Sequence, residues 1–432
     1  MISDIPGSKS ILQRMMVLLA HAKGDICIRN YNPCNDVLEL EAALKVFGFQ
    51  VSKSEEEITF RFSEQTHRQS SHHYRFEASA TAFRLWISVL ANLPGIRSQV
   101  YASEILVKRG IEPLCQSLRM MGAKCSLEAN CLQITGANLS GGRIHTQMHL
   151  SSQYASSLVL AAPFMQNPLS LDLNSGIVSA TYLNLSLQML RSFGVNVHIQ
   201  DSQIEVQRAN FTLPQSFEVD SDLSTVAFMA VRAALGQTIV ETSSRRVYTE
   251  LPLYETSSRR LYTELPLYLN PGLDQPDMKI WSILQGMGVK IETTGTTYRI
   301  YPSDLQGIEL DLTDNPDLMP VLSIAALFAK DPMHLTGIGR LVHKESNRIS
   351  GICQALEKLG AKYRLDQESL YIWPLKTTPP ACTLDTQRDH RLVMAFSLLL
   401  PRFPQVQLSE WASLDKSLPS SSLGLLIVNC KS

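Results

Sequence analysis

Residues capable of binding anions or moving protons gather in a few short strings. Pro6-Gly7-Ser8-Lys9-Ser10 is followed one turn later by Arg14; Ser151-Ser152-Gln153, Asn315-Pro316-Asp317 and Arg388-Asp389-His390-Arg391 each precede another apolar run. Lys344-Glu345-Ser346-Asn347-Arg348 occupies a connecting segment. The apolar runs are predicted helices, so four of the five strings stand at helix starts. There, unpaired backbone N–H groups and the helix dipole favour negative charge, and forked guanidinium groups hold carboxylate or phosphate by two bonds. The chemistry that fits is capture of phosphate or carboxylate ligands.

Taken singly, the strings have plainer readings. Serine is a favoured N-cap, Asn-Pro-Asp is common turn chemistry, and a Lys-Glu-Ser-Asn-Arg run forms a solvated face with weak ion pairs. A lone His390 is more often a hydrogen-bonded structural residue than a catalyst. Recurrence at the same end of successive repeats argues against these readings, because a solvated face has no reason to recur there.

The repeats are visible as an apolar helical run, a turn and a short strand. The runs are Ser8 to Ala22, Thr81 to Ala91, Gln153 to Ala162, Ser224 to Leu235, Asp317 to Ala329 and His390 to Leu400. The strands that follow them start at 26, 98, 169, 238, 333 and 406, spacings of 72, 71, 69, 95 and 73 residues. The long interval has a visible cause. Glu241 to Tyr254 is copied directly as Glu255 to Tyr268, differing only at Val247 against Leu261, which reads as an insertion and not a site. Five units add an amphipathic helix closed by glycine: Leu38 to Gly48, Glu112 to Gly122, Leu183 to Gly194, Met278 to Gly288 and Ile352 to Gly360. Such alternation predicts an α/β architecture of six units, with apolar helices inside and amphipathic ones nearer solvent.

Composition narrows the function classes. With 432 residues, 44% of them hydrophobic, the chain suffices for two or three domains with substantial cores. The 39 Lys and Arg balance 40 Asp and Glu, so the basic excess that drives nucleic-acid binding is lacking. The eight cysteines form no C-x-x-C pair and no zinc spacing, and read as reduced thiols. No apolar run approaches the roughly 20 residues of a membrane span, and the start lacks the pattern of a signal peptide. A cytoplasmic, soluble protein is expected.

Ten strings in this order resemble the signature set of the 5-enolpyruvylshikimate-3-phosphate synthase family: PGSKSILQR (6–14), SATAFR (79–84), the Arg109 region, SSQ (151–153), SATY (179–182), DSDLST (220–225), NPD (315–317), KESNR (344–348), DHR (389–391) and KSLP (416–419). The resemblance covers nearly the whole chain. It implies the two-domain enolpyruvyl transferase fold, with three units in residues 8–220, on the shikimate 3-phosphate side, and three in 1–7 plus 221–432, the latter carrying the insertion 241–268. It implies an active site in the interdomain cleft, a monomer, and neither metal nor organic cofactor. The implied reaction moves the enolpyruvyl group of phosphoenolpyruvate to the 5-hydroxyl of shikimate 3-phosphate and releases phosphate.

By the same resemblance, Lys9, Arg109, Arg348, Arg391 and Lys416 hold phosphoenolpyruvate. Ser10, Arg14, Ser151, Ser152, Gln153, Ser179, Tyr182 and Lys344 hold shikimate 3-phosphate, and Thr81, Arg84 and Asp389 belong to the same set. The reaction needs a base for the attacking hydroxyl and an acid for the methylene carbon, tasks that two carboxylates among cations can divide. Asp317 and Glu345 are the candidates, with Lys9 and Lys416 stabilising charge or moving protons and His390 secondary. Departures from the family pattern are Ala78 for Asn, Ala80 for Gly, Gly110 for Pro, Asn347 for Asp and Arg388 for Asn. The alternatives are a UDP-sugar enolpyruvyl transferase of the same fold and a catalytically weak anion-binding homologue. Ser8-Lys9-Ser10 and Ser151-Ser152-Gln153 favour the shikimate branch, and Cys115, within an amphipathic helix, reads as structural.

Overall fold

Apolar side chains all around a helix require burial on every side, whereas a one-sided stripe requires only one partner. The chain follows this rule. In the computed structural model, which describes residues 5–54, 57–69, 72–145, 151–172, 180–200, 203–242, 245–250 and 262–418, six helices are almost wholly buried. They are Lys9–Ala22, Ala80–Ala91, Ser152–Ala161, Leu223–Ala234, Met319–Leu327 and His390–Ser397; every residue of the last two is buried. The amphipathic helices Asn35–Phe47, Glu112–Met120, Ala180–Ser192, Ile280–Gly286 and Arg348–Lys358 lie outside them. Glu112–Met120 buries only Leu114, Cys115, Ser117 and Leu118. The closing glycines 48, 122, 194, 288 and 360 all take positive φ, a backbone that stops a helix without a Cβ penalty.

The chain forms two bodies, each with its own hydrophobic core. The first comprises Gly7–Asp220 with Asn270–Gln275; the second comprises Met1–Pro6, Ser221–Leu269 and Pro276–Ser432.

The first body carries three four-stranded sheets of one pattern. In each, the strand after the inner helix (Ile26–Arg29, Arg97–Ala102, Leu169–Asp172) runs parallel to one neighbour and antiparallel to a hairpin strand. The parallel neighbour of Arg97–Ala102 is His73–Phe76, and that of Leu169–Asp172 is Gly142–His145, each just ahead of its own inner helix. For Ile26–Arg29 the place is taken by Ser216–Glu218, with Cys27 opposite Ser216, so the body's last strand completes its first sheet.

The second body repeats the pattern in Glu309–Asp311, Met333–Thr336, Ser369–Ile372 and Tyr363–Leu365. The fourth unit departs from expectation. Gln237–Thr242 is a strand, but it pairs with Arg245–Glu250 in a separate hairpin. The place beside Thr297–Ile300 belongs to Thr263–Pro266, from the second tandem copy. The sheet-forming strand thus lies in the second tandem copy, downstream of the predicted start at 238. Among the described residues the seven cysteines are free thiols, and no helix is long and apolar enough to cross a membrane.

Candidate active site

In the first body, three inner-helix starts are joined by side chains. A Cβ on Gly7 would lie 2.0 Å from the Asn30 carbonyl oxygen, so only glycine allows this approach. The Ser8 N–H then donates to the Asp220 carbonyl at 2.7 Å, and Lys9 enters the first turn with Nζ 2.9 Å from Asp36 Oδ2. Gln13 Nε2 donates to the Asp36 carbonyl at 3.0 Å and to Ser79 Oγ at 2.9 Å. Ser79 caps Ala80–Ala91 through the Ala82 N–H. Ahead of it, the Glu39 carboxylate accepts from the N–H groups of Glu77, Ala78 and Ser79 at 3.0, 2.8 and 3.1 Å. Burial raises the Glu39 pKa, against the pull of those N–H groups.

Arg84 ties the second start to the third. Its Nη1 donates to Ser151 Oγ (3.2 Å) and Gln153 Oε1 (2.7 Å), and its Nη2 to the carbonyls of Arg109 (2.5 Å) and Gly110 (2.9 Å). Ser151 caps its helix through the Gln153 N–H, and Gln153 Nε2 donates to Thr81 Oγ1 at 2.8 Å. Gly110 takes φ +79, an angle closed to the proline usual there. Its carbonyl also receives the Tyr154 hydroxyl at 3.1 Å. Arg14 is buried: Nε donates to Ser186 Oγ at 2.8 Å, Nη1 to the Ser10 carbonyl at 2.8 Å and Nη2 to the Tyr182 carbonyl at 2.9 Å. Burial lowers both arginines to about 10, since hydroxyl and carbonyl oxygens replace water only in part. Ser152 is buried and Ser10 half-buried; Ser179 lies outside the described residues.

The second body is built differently. Arg348, 1% exposed, holds three carboxylates: Nε donates to Asp389 Oδ2 (2.7 Å), Nη1 to Asp317 Oδ1 (2.6 Å) and Nη2 to Glu345 Oε2 (2.6 Å). Lys344 Nζ is 3.3 Å from Asp317 Oδ1, and Lys416 Nζ is 3.5 Å from Glu345 Oε1. Arg391 Nη2 is 3.6 Å from Asp317 Oδ2 and donates to Ser224 Oγ at 3.1 Å, and the Ser224 hydroxyl donates to Asp277. Burial alone would raise Asp317, but Arg391, Lys344 and Arg348 outweigh it and hold this carboxylate well below its usual pKa. Burial lowers Arg348, yet Asp389, Glu345 and Asp317 reverse the effect. Asp389 caps His390–Ser397 through the Arg391 N–H, and His390 Nδ1 lies 3.8 Å from its Oδ1. Asn347 caps Arg348–Lys358 through the Ser350 N–H at 3.1 Å, so the Asp-to-Asn departure leaves the cap intact.

Sequence reasoning missed Asp36, Glu39 and Asp277. Their partners lie far along the chain, and no local pattern marks a carboxylate on an outer helix as serving an inner one.

The family model of EPSP synthase (3-phosphoshikimate 1-carboxyvinyltransferase) matches residues 2–246 and 271–421. The chain belongs to the EPSP synthase family. The unmatched 247–270 lies almost wholly within the tandem duplication. A 3-phosphoshikimate 1-carboxyvinyltransferase of Bacteroides fragilis is 28% identical over 429 residues, covering 96% of this chain and 92% of the relative. A relative named 3-phosphoshikimate 1-carboxyvinyltransferase 2, from Halalkalibacterium halodurans, is 27% identical, with 96% and 89% covered. The EPSP synthase structure from Acinetobacter baumannii shares the fold with a TM-score of 0.75 at 21% identity, covering 98% of this chain and 94% of that one. The enolpyruvyl transferase NikO from Streptomyces tendae also shares it, at 0.70 and 14%, with 98% and 93% covered. EPSP synthases are transferases, and among the described residues no group of three His, Cys, Asp or Glu is placed to hold a metal ion.

Proposed function

We propose that the chain transfers the enolpyruvyl group of phosphoenolpyruvate to the 5-hydroxyl of shikimate 3-phosphate, releasing phosphate. The observation that carries this reading is the gathering of Asp317, Glu345 and Asp389 on the one guanidinium of Arg348, with Lys344 and Lys416 against the same acids. Two carboxylates among cations suit a reaction in which a hydroxyl loses a proton while a methylene carbon gains one. Asp317 and Glu345 carry those protons in this reading. Lys9 and Lys416 stabilise the departing phosphate.

Shikimate 3-phosphate is assigned to Ser10, Ser151, Ser152, Gln153, Ser179, Tyr182 and Lys344, and phosphoenolpyruvate to Lys9, Arg109, Arg391 and Lys416. Arg14, Arg84 and Arg348, whose donors meet protein oxygens, act as positioning residues. The protein works as a cytoplasmic monomer. Phosphate release from phosphoenolpyruvate, with shikimate 3-phosphate or a UDP-sugar added in turn, tests the reading. Release with shikimate 3-phosphate alone is expected. Release with the UDP-sugar, or binding without release, would overturn it.

A further inference from the structure

Arg391, assigned above to phosphoenolpyruvate, is backed by a carboxylate that stands in none of the signature strings. Asp277 lies in the short 3₁₀ turn Pro276–Lys279, which packs against Leu223–Ala234. It is 2% exposed; its Oδ2 receives the Ser224 hydroxyl and stands 3.9 Å from Arg391 Nη2. Its Oδ1 is shut off from solvent with no hydrogen-bond partner, a costly state for a carboxylate. Burial raises the Asp277 pKa, with Arg391 the chief opposing charge. The same turn meets the segment ahead of Asp317, since Asn315 Nδ2 donates to the Pro276 carbonyl at 2.6 Å.

Ser224 is fixed twice. Its N–H donates to Asp222 Oδ1 at 3.0 Å, which holds the backbone, and its hydroxyl proton goes to Asp277. A hydroxyl has one proton and two lone pairs. With that proton committed to Asp277, Ser224 Oγ is left to accept from Arg391, whose Nη2 donates to it at 3.1 Å. The same Nη2 lies 3.6 Å from Asp317 Oδ2, and Nη1 donates to the Asp317 carbonyl at 3.2 Å. Two acids therefore share one edge of the guanidinium, and removing Asp277 leaves that edge to Asp317.

We propose, on the reading of function given above, that Asp277 is a positioning residue for phosphoenolpyruvate. Acting through Ser224, it keeps the Arg391 fork from closing on the Asp317 carboxylate, so that the fork stays available to an anionic oxygen of the ligand. It touches neither the ligand nor the reacting atoms.

Phosphate release and calorimetric binding of shikimate 3-phosphate, measured on the parent protein, Asp277→Ala, Ser224→Ala and the double variant, test the proposal. Each single variant should raise KM for phosphoenolpyruvate about tenfold with kcat within about threefold. Shikimate 3-phosphate binding should stay within about twofold, and the double variant should match the worse single one within about twofold, because both changes break one relay. A purely structural Asp277 would instead weaken both substrates alike. That result, KM near the parent value, kcat lost at unchanged KM, or single effects that multiply in the double variant would overturn the proposal. Ser224→Ala removes only a hydroxyl at a half-buried position, so it carries the test even where Asp277→Ala does not fold. A parent protein that releases no phosphate would overturn the underlying reading and the proposal with it; a working parent beside unaltered variants overturns the proposal alone.

Discussion

The two bodies share one repeat but treat their buried arginines in opposite ways. In the first, Arg14 and Arg84 face hydroxyl and carbonyl oxygens, and burial depresses both. In the second, Arg348 faces three carboxylates, which keep it charged against the effect of burial. Cations without counter-charge leave a surplus that an anionic ligand can neutralise, whereas a compensated network holds acids in defined states. The difference fits the proposed handling of protons by the acids around Arg348, while the residues proposed to bind anions, Lys9 and Arg109 with Lys344, Arg391 and Lys416, come from both bodies.

The sharpest way to break this contrast is to remove one arginine from each body. Arg348→Leu strands three carboxylates and should destabilise the second body by about 3–5 kcal/mol. Arg14→Leu strands only neutral acceptors and should cost about 1–3 kcal/mol. Urea unfolding of each variant compares them, and an equal or reversed order would break the contrast.

The same logic applies to acids. Asp220, fully buried, accepts from Asn270 N–H at 3.0 Å and Nδ2 at 2.5 Å, with no ion pair among the described residues, and burial raises its pKa to about 6. Between about pH 4 and pH 6 the folded state therefore binds more protons than the unfolded one, so stability falls as pH rises. The loss is about 3 kcal/mol, fully developed above pH 6. Asp220→Asn should flatten that slope in thermal melts across the range; an unchanged slope would contradict the assignment. Asp317 behaves oppositely: its stabilisation is present above the ordinary carboxylate pKa and is lost only as pH falls towards its depressed folded value.

Smaller effects refine the picture. Arg84→Lys retains the charge but loses the fork, leaving the Arg109 carbonyl without this donor and the Gly110 carbonyl with only the Tyr154 hydroxyl, at a cost of about 1–2 kcal/mol. We expect KM for phosphoenolpyruvate to rise several-fold with kcat changed less, through the displaced Arg109 segment. A kcat loss at unchanged KM would make Arg84 part of the chemistry instead of its support. Deleting residues 241–254 should matter least. Either copy's removal yields the same chain but for Val247 or Leu261, and the described strands it touches form a two-stranded sheet of their own, so stability should change by under about 1 kcal/mol. Phosphate release reduced by more than about tenfold would show that the duplication supports the site.

Much of this was legible in the amino-acid sequence because periodicity reports burial: the six inner helices, five outer ones and their closing glycines follow from spacing alone. The fourth strand was legible at 238–240 but its pairing was not: Gln237–Thr242 joins Arg245–Glu250, while Thr263–Pro266 takes the place beside Thr297–Ile300, a choice set by tertiary contacts that periodicity does not report. Glu39 was hidden because its three partners stand 38 to 40 residues away. The resemblance marked Arg14 and Arg84 for substrate, yet whether a guanidinium faces a ligand or a carbonyl depends on tertiary geometry that no motif encodes.

The central claim, that anions are bound by one set of residues and protons moved by another, is tested most directly with Asp317→Asn. Shikimate 3-phosphate binding by calorimetry and phosphate release should be measured on the same preparation. The account predicts binding within about threefold of the parent protein and turnover lowered by about 10² to 10⁴. Turnover near the parent level, or binding lost together with turnover in a folded protein, would contradict it.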